Sequence, residues 1–231
     1  MIAGMQILIV IGLVLALLLG PNLWVQRVMS RYRMPDDRYG GTGGELARKL
    51  LDELGLNAVR VEETEQGDHY DPRDRTVRLR QDHFHGRSLT AVTIAAHEVG
   101  HAEQHASAYA PLMIRTRLVQ FSQLAQRFGA GMMMAAPMIG LLTRAPGVTG
   151  LVVVGGLMSL GSAVLVHLVT LPTEFDASFG RALPLLEKGD HLYRSDYRHA
   201  RRLLRAAAMT YVSASLMSIL NIARWWAILR R

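Results

Sequence analysis

The segment His97-Glu98-Val99-Gly100-His101 restricts the fold more than any other part of the chain. An α-helix turns about 100° and rises about 1.5 Å per residue, so positions 97 and 101 stack on one face about 6 Å apart. Two imidazole nitrogens at that spacing reach one ion at roughly 2.0–2.1 Å each. Glu98 lies at the edge of the same face, where it can touch a metal-bound water without being a ligand. Any fold that uses this helix has to bury it and bring a third donor to the pair.

The surroundings support a buried helix. Ser88 is a helix cap by type, and Leu89 to Ala96 is apolar or small except for Thr90 and Thr93. This predicts a helix over 88–108. Two buried histidines and a glutamate need partners. Hydrogen bonds in a core supply them on one reading and a metal on the other, and the motif's mechanics favour the metal. His105 extends the same face by one turn. It reads as a supporting or structural side chain, because tetrahedral catalytic zinc takes three protein groups and leaves one position open.

Apolar sequence is concentrated rather than spread. Half of the 231 residues are hydrophobic. Residues 1–26 carry no charge, and neither does Val148 to Leu171, where His167 is the one readily ionisable group. Both reach the roughly 20 residues that cross about 30 Å of hydrocarbon. Phe128 to Thr143 is shorter, with Leu118 to Gln126 as an extension if Arg127 snorkels. Ala206 to Ala223 ends in Arg224-Trp225-Trp226, which resembles an interfacial anchor. The first segment lacks a basic leader and a small-x-small cleavage site, so it reads as a retained anchor.

The resulting expectation is a mainly α membrane protein with three to four transmembrane helices. A small α+β zincin-like catalytic unit with a short β-hairpin or edge strand accompanies them. Its divisions are an anchor over 1–26, a catalytic region over 27–117, a transmembrane helical hairpin over 118–171, a third-ligand helix and following segment over 172–205, and a transmembrane or interfacial helix over 206–231.

Net charge is +7. Arginines cluster beside the apolar segments, at 27, 31 and 33, at 115 and 117, and at 194, 198, 201, 202 and 205. That placement suits anionic headgroups. Nucleic-acid binding is disfavoured, because no aromatic-basic platform or recognised module accompanies the charge. Cysteine is absent.

Within 27–117, Glu45 to Leu54 has helical periodicity and Gly55 is a stop. Val59 to Glu63 and Thr76 to Arg80 alternate as strands around a turn at Asp71-Pro72. Together they predict a helix and a hairpin leading into the His97 helix. An edge strand beside such a helix aligns substrate backbone by strand addition, and either strand could serve.

A third ligand must be histidine or a carboxylate. Beyond the hairpin, whose turn is Arg144-Ala145-Pro146-Gly147, the choices are Glu174, Asp176, Glu187, Asp190, His191, Asp196 and His199. Glu174 leads. It is expected at the start of a helix just past Pro172, in apolar surroundings where an unpaired carboxylate is costly, and two spans would return it to the side of His97.

Three motifs, Asp68-His69-Tyr70-Asp71-Pro72, Ala95 to Gln104 and Leu171 to Ser178, occur in an order that resembles the YugP-type family of bacterial membrane zinc metallopeptidases. The resemblance covers nearly the whole chain. It implies one zinc held by His97, His101 and Glu174, with Glu98 as general base. More distantly the chain is similar to HtpX-like and CAAX-prenyl-protease-like enzymes, in which an aspartate four positions after the glutamate ligand orients a zinc-bound histidine. Ser178 stands at that position here and Asp176 nearby, so either could hold an imidazole N–H. The Asp68 to Pro72 motif reads as a turn packed on the zinc helix, with His69 facing the substrate cleft as the other reading.

The expected function is membrane-embedded endopeptidase activity on peptides or membrane proteins near the membrane surface, by Glu98-assisted attack of a zinc-bound water. Tyr211, His191, Tyr193 and His199 are candidate oxyanion donors. Arginine asymmetry places the catalytic region on the cytoplasmic side of the plasma membrane. A non-catalytic zinc scaffold would instead need four protein ligands, with His105 recruited. A channel component lacks paired intramembrane charges, and helix packing accounts for Gly155, Gly156 and Gly161.

Overall fold

The computed structural model describes residues 2–229, without the side chains at 2–11, 13, 14, 17, 18, 137, 143, 146, 160, 163–165, 167, 168, 215 and 217–229. The expectations for His167 and for Arg224-Trp225-Trp226 therefore concern side chains outside the described residues.

Helices α1 (Ile2–Arg31) and α2 (Gly43–Glu53) precede strands β1 (Arg60–Thr64), β2 (His69–Asp71) and β3 (Thr76–Arg80). Then follow α3 (Gln81–Phe84), α4 (Leu89–Ala106), α5 (Ala110–Thr143) and α6 (Pro146–Phe175). A π-helical turn, Asp176–Ala182, leads to α7 (Leu183–Lys188) and α8 (Tyr197–Leu229). Two compact units result. One holds the chain up to Asn22, Ile114–Thr170 and the chain from Tyr211. The other holds Leu23–Met113 and Leu171–Thr210.

In the second unit, α4 is the centre. Fifteen of its eighteen residues are buried, from Leu89 to Ala102 without a break and again at Gln104. Such all-round burial follows from its small and apolar composition, and α2, α3, β2, β3 and the π-helical turn all pack on it. Ser88 caps it as expected, accepting from the Ala91 amide. The start of α2 is set by a reciprocal pair: Thr42 accepts from the Glu45 amide, and Glu45 accepts from the Thr42 amide. Gly55, at φ +71°, follows the end of α2, a conformation glycine adopts without a Cβ penalty. The core then closes with Leu50 and Leu51 of α2, Val77 and Leu79 of β3, and Leu203 and Leu204 of α8.

The sheet corrects the hairpin expectation. Strand order is β1-β3-β2, with β1 parallel to β3 and β2 antiparallel to it. Alternation identified β1 and β3 as strands but not their partner. The three residues of β2 are too few to show a period, yet they return tightly into β3 through residues 72–75, with Arg75 at φ 53°. The Asp68 to Pro72 motif is thus a strand with its flanks rather than a turn.

The first unit contains most of α5 and α6, which meet through a hydrogen bond between the Ser122 and Ser162 hydroxyls at 2.8 Å. Large apolar side chains on it face outward, including Phe121, Phe128, Met134, Leu141, Leu151 and Met158.

The expectation of three to four transmembrane helices is overturned: among the described residues, no helix is long and apolar enough to cross a membrane. A span needs about 20 consecutive apolar residues. Helix α5 interleaves Arg115, Arg117, Gln120, Gln123, Gln126 and Arg127, and α8 begins with Arg198, Arg201, Arg202 and Arg205.

Candidate metal centre

Helix α4 presents His97 and His101 one turn apart, their ring centroids 4.8 Å from each other at an interplanar angle of 76°. Glu174 meets them from α6. Its Oε2 lies 3.3 Å from Nε2 of His97 and 3.3 Å from Nε2 of His101. All three side chains are buried, Glu174 to 1% exposure. Among the described residues they form the one group of histidines and acids whose ligand atoms lie close enough to hold an ion, within 4.8 Å of one another.

The spacing fits zinc. Bonds of about 2.0–2.1 Å in a tetrahedron place ligand atoms about 3.3–3.4 Å apart. The donor set, two imidazoles and one carboxylate, suits zinc as well. Burial pushes the Glu174 carboxyl's pKa up, but the imidazoles of His101 and His97 outweigh that and hold it well below the usual carboxylate range. Glu174 is therefore an anion in an enclosed place, which is where a cation gains most.

How Glu174 arrives differs from the expectation. It is the penultimate residue of a 30-residue helix, not the first of a new one, because α6 runs through Pro172. Directly after Phe175 the backbone widens into the π-helical turn, a feature that often marks functional sites. That turn approaches α4 at Gly100, between the two histidines. A Cβ on Gly100 would stand 2.6 Å from the Ala177 carbonyl oxygen, so only glycine allows this approach.

Each imidazole is also held from behind. Ser178 Oγ is 3.1 Å from His97 Nδ1, and Gln104 Oε1 is 2.9 Å from His101 Nδ1. Asp176 does not reach an imidazole directly. It accepts from Gln104 Nε2 and from Arg181 Nε, each at 2.8 Å. Of the two proposed contacts to a histidine, the structure makes the one from Ser178. Gln104 was missed, although its position three residues after His101 on a helix is a sufficient signal.

Glu98 is buried beside His97, at 6% exposure. His105 stands apart from the triad, with Nδ1 2.8 Å from the Tyr70 hydroxyl on β2. Burial pushes the Tyr70 phenol up to about 12, so it stays a neutral hydroxyl. This contact places the Asp68 to Pro72 motif against α4. Asp68 itself accepts from the Arg80 amide and pairs with His83 Nδ1, both at 2.8 Å.

The oxyanion candidates have other described partners. His191 pairs with Glu53 and His199 with Tyr32, and Tyr193 stacks on Tyr39. Tyr211 belongs to the other unit, where its hydroxyl accepts from Arg115. The rival third ligands are likewise placed elsewhere: Glu187 pairs with Arg201, and Asp196 with Arg38.

Comparisons with known proteins agree with this geometry. The family described as "Putative neutral zinc metallopeptidase" matches residues 6–230. The chain is 35% identical over 213 residues to "Putative membrane protease YugP" of Bacillus subtilis (strain 168), an alignment covering 90% of this chain and 91% of that protein. No solved structure matches the chain.

Proposed function

The chain belongs to that zinc metallopeptidase family, and on this premise we propose that it is an endopeptidase whose single zinc is held by His97, His101 and Glu174. The observation that carries the reading is the pair of 3.3 Å separations that Glu174 Oε2 makes with the two imidazoles. Three such donors among the described residues, with His105 engaged by Tyr70, support a site with one position left for chemistry rather than a closed structural one.

When bound, zinc supplies a Lewis acid that polarises the scissile carbonyl and makes water acidic enough to react at neutral pH. Glu98, beside His97 on α4, takes the proton from the attacking water and passes it to the leaving amine. Strand β2 is at the edge of the sheet and packs on α4, which favours it over β1 as the strand that aligns an extended substrate backbone.

The relative's name supports a membrane setting. The outward apolar side chains of the first unit support association with a lipid phase. Exposed Arg27, Arg31, Arg198, Arg202 and Arg205 of the second unit suit the anionic cytoplasmic leaflet of a bacterial plasma membrane. Substrates are then peptides or membrane proteins presented there.

The test is Glu98→Gln. It should lower peptide hydrolysis by a factor of about 10² to 10⁴, with zinc content measured by atomic absorption unchanged. A fully active E98Q enzyme refutes the assignment.

A further inference from the structure

We infer that Gln104 is a positioning residue of the metal centre: its amide fixes which nitrogen of His101 carries the proton and ties that ring to the backbone bearing Glu174. The inference rests on the metallopeptidase reading above and adds to it a residue outside the ligand set.

Gln104 is fully buried, at 0% exposure, and makes three hydrogen bonds. Its Nε2 donates to the Thr173 carbonyl and to Asp176 Oδ2, each at 2.8 Å. Both partners are acceptors only, so the amide's NH2 end has to face them. The oxygen end is thereby committed to His101, 2.9 Å away, and can only accept. Nδ1 of His101 therefore carries the proton, and in the neutral ring Nε2 keeps its lone pair, directed at the place Glu174 Oε2 also approaches. A side chain that accepts on one end and donates twice on the other is what this position needs. An aliphatic residue of the same length leaves the buried ring N–H without its acceptor and takes a donor away from the Thr173 carbonyl and from Asp176.

The same three bonds set distance as well as tautomer. Thr173 immediately precedes Glu174, and Asp176 opens the π-helical turn, so one amide joins the His101 turn of α4 to both sides of the third donor. Asp176 is itself fixed by Arg181, which also pairs with Glu103 at 3.3 Å. The chain Glu103, Arg181, Asp176, Gln104 begins and ends on α4 and encloses the carboxylate's backbone. Histidine ligands generally depend on such partners, whose removal weakens metal binding by about 10- to 100-fold.

The experiment uses the purified full chain with zinc and cobalt as probes. Wild type and Gln104→Leu are compared by competition against a chromophoric chelator, by the visible absorption of the cobalt form, and by the melting temperature of the metal-free chain. Q104L should bind zinc about 10- to 100-fold more weakly and shift the cobalt bands. A merely structural glutamine would lower the metal-free melting temperature with zinc affinity and cobalt spectrum unchanged, and that result overturns the inference. If Q104L fails to fold, Asp176→Ala takes its place. It removes one of the two acceptors that orient the amide, and a wild-type affinity and spectrum would again overturn the proposal. A wild-type chain that binds no zinc defeats the metallopeptidase reading and this inference together. Tight binding by wild type and Q104L alike defeats the inference alone.

Discussion

Ser178 Oγ stands 3.1 Å from His97 Nδ1 and 3.1 Å from the Leu204 carbonyl oxygen, and a carbonyl can only accept. The hydroxyl proton therefore goes to Leu204, and the ring N–H of His97 goes to Ser178. In its neutral form the imidazole then turns an unprotonated Nε2 toward Glu174. Ser178→Ala should weaken zinc binding by about tenfold, read by chelator competition, because the ring is free to change tautomer and orientation. It should also cost about 1 kcal/mol in urea unfolding from the lost buried hydrogen bond. Unchanged zinc affinity would mean that the serine serves packing alone.

Gly100 lies between the two histidines where the π-helical turn comes nearest. Gly100→Ala sets a methyl carbon 2.6 Å from the Ala177 carbonyl oxygen, a backbone atom that cannot swing aside. Overpacking of this kind costs about 1–3 kcal/mol, more than the helix propensity gained from alanine. Relief requires the turn to move away, and Glu174 stands two residues before its start. Lower stability in urea should therefore be accompanied by weaker zinc binding. A stabilised G100A with normal affinity would contradict the close approach.

The parts of this architecture carried by short-range chemistry are legible in the sequence. Ser88 reveals the start of α4 because capping is local, and Gly55 marks the end of α2 for the same reason. The His97 and His101 spacing follows from helix periodicity alone. What long-range packing decides is not legible. Nothing in the alternation of Val59 to Glu63 says that β1 would lie parallel to β3, since the intervening three-residue strand is too short to show a period. Proline at 172 suggested a boundary, yet the helix continues through it and delivers Glu174 from its last turn. The apolar segments were read for span length, but helices α5 and α8 also carry polar and basic residues that a count of apolar runs leaves out. Gln104 was within reach of the rule that residues three apart on a helix are neighbours.

Metal removal should have a local signature. The triad connects α4 to the last turn of α6, so chelation removes a link between elements distant in sequence. Zinc at 1,000 times its dissociation constant stabilises the fold by about 4 kcal/mol through mass action. Chelator should lower the melting temperature accordingly, and the zinc dependence should vanish in His101→Ala. Hydrogen exchange should rise in residues 95–106 and 171–182 more than in β1 and β3. A uniform increase across the second unit would show that the metal supports the whole fold rather than this junction.

The Arg38 and Asp196 pair is expected to contribute to the acid sensitivity of the second unit. Asp196 is buried and accepts from Arg38 Nε at 2.6 Å, from Arg38 Nη2 at 2.7 Å and from the Tyr39 hydroxyl at 2.6 Å. Burial pushes its pKa up, but the hydrogen bonds from Arg38 and Tyr39 and the guanidinium charge prevail, and the carboxyl is held below its usual value. A carboxylate lowered on folding contributes stability that is fully present above its unfolded pKa of about 3.9 and is lost as pH falls through the folded value. Asp196→Asn keeps an acceptor but removes the charge, so at pH 7 it should cost about 1–2 kcal/mol, within the range for charged hydrogen bonds at a partly exposed arginine. The gap between variant and wild type should hold steady from pH 7 to about 5 and narrow below about 4, as the wild-type carboxylate takes up its proton. Urea unfolding of both chains at intervals from pH 7 to 3 measures this. If their stabilities fall in parallel over the acid range, the acid sensitivity belongs to other carboxylates, and the Arg38 clamp does not set it.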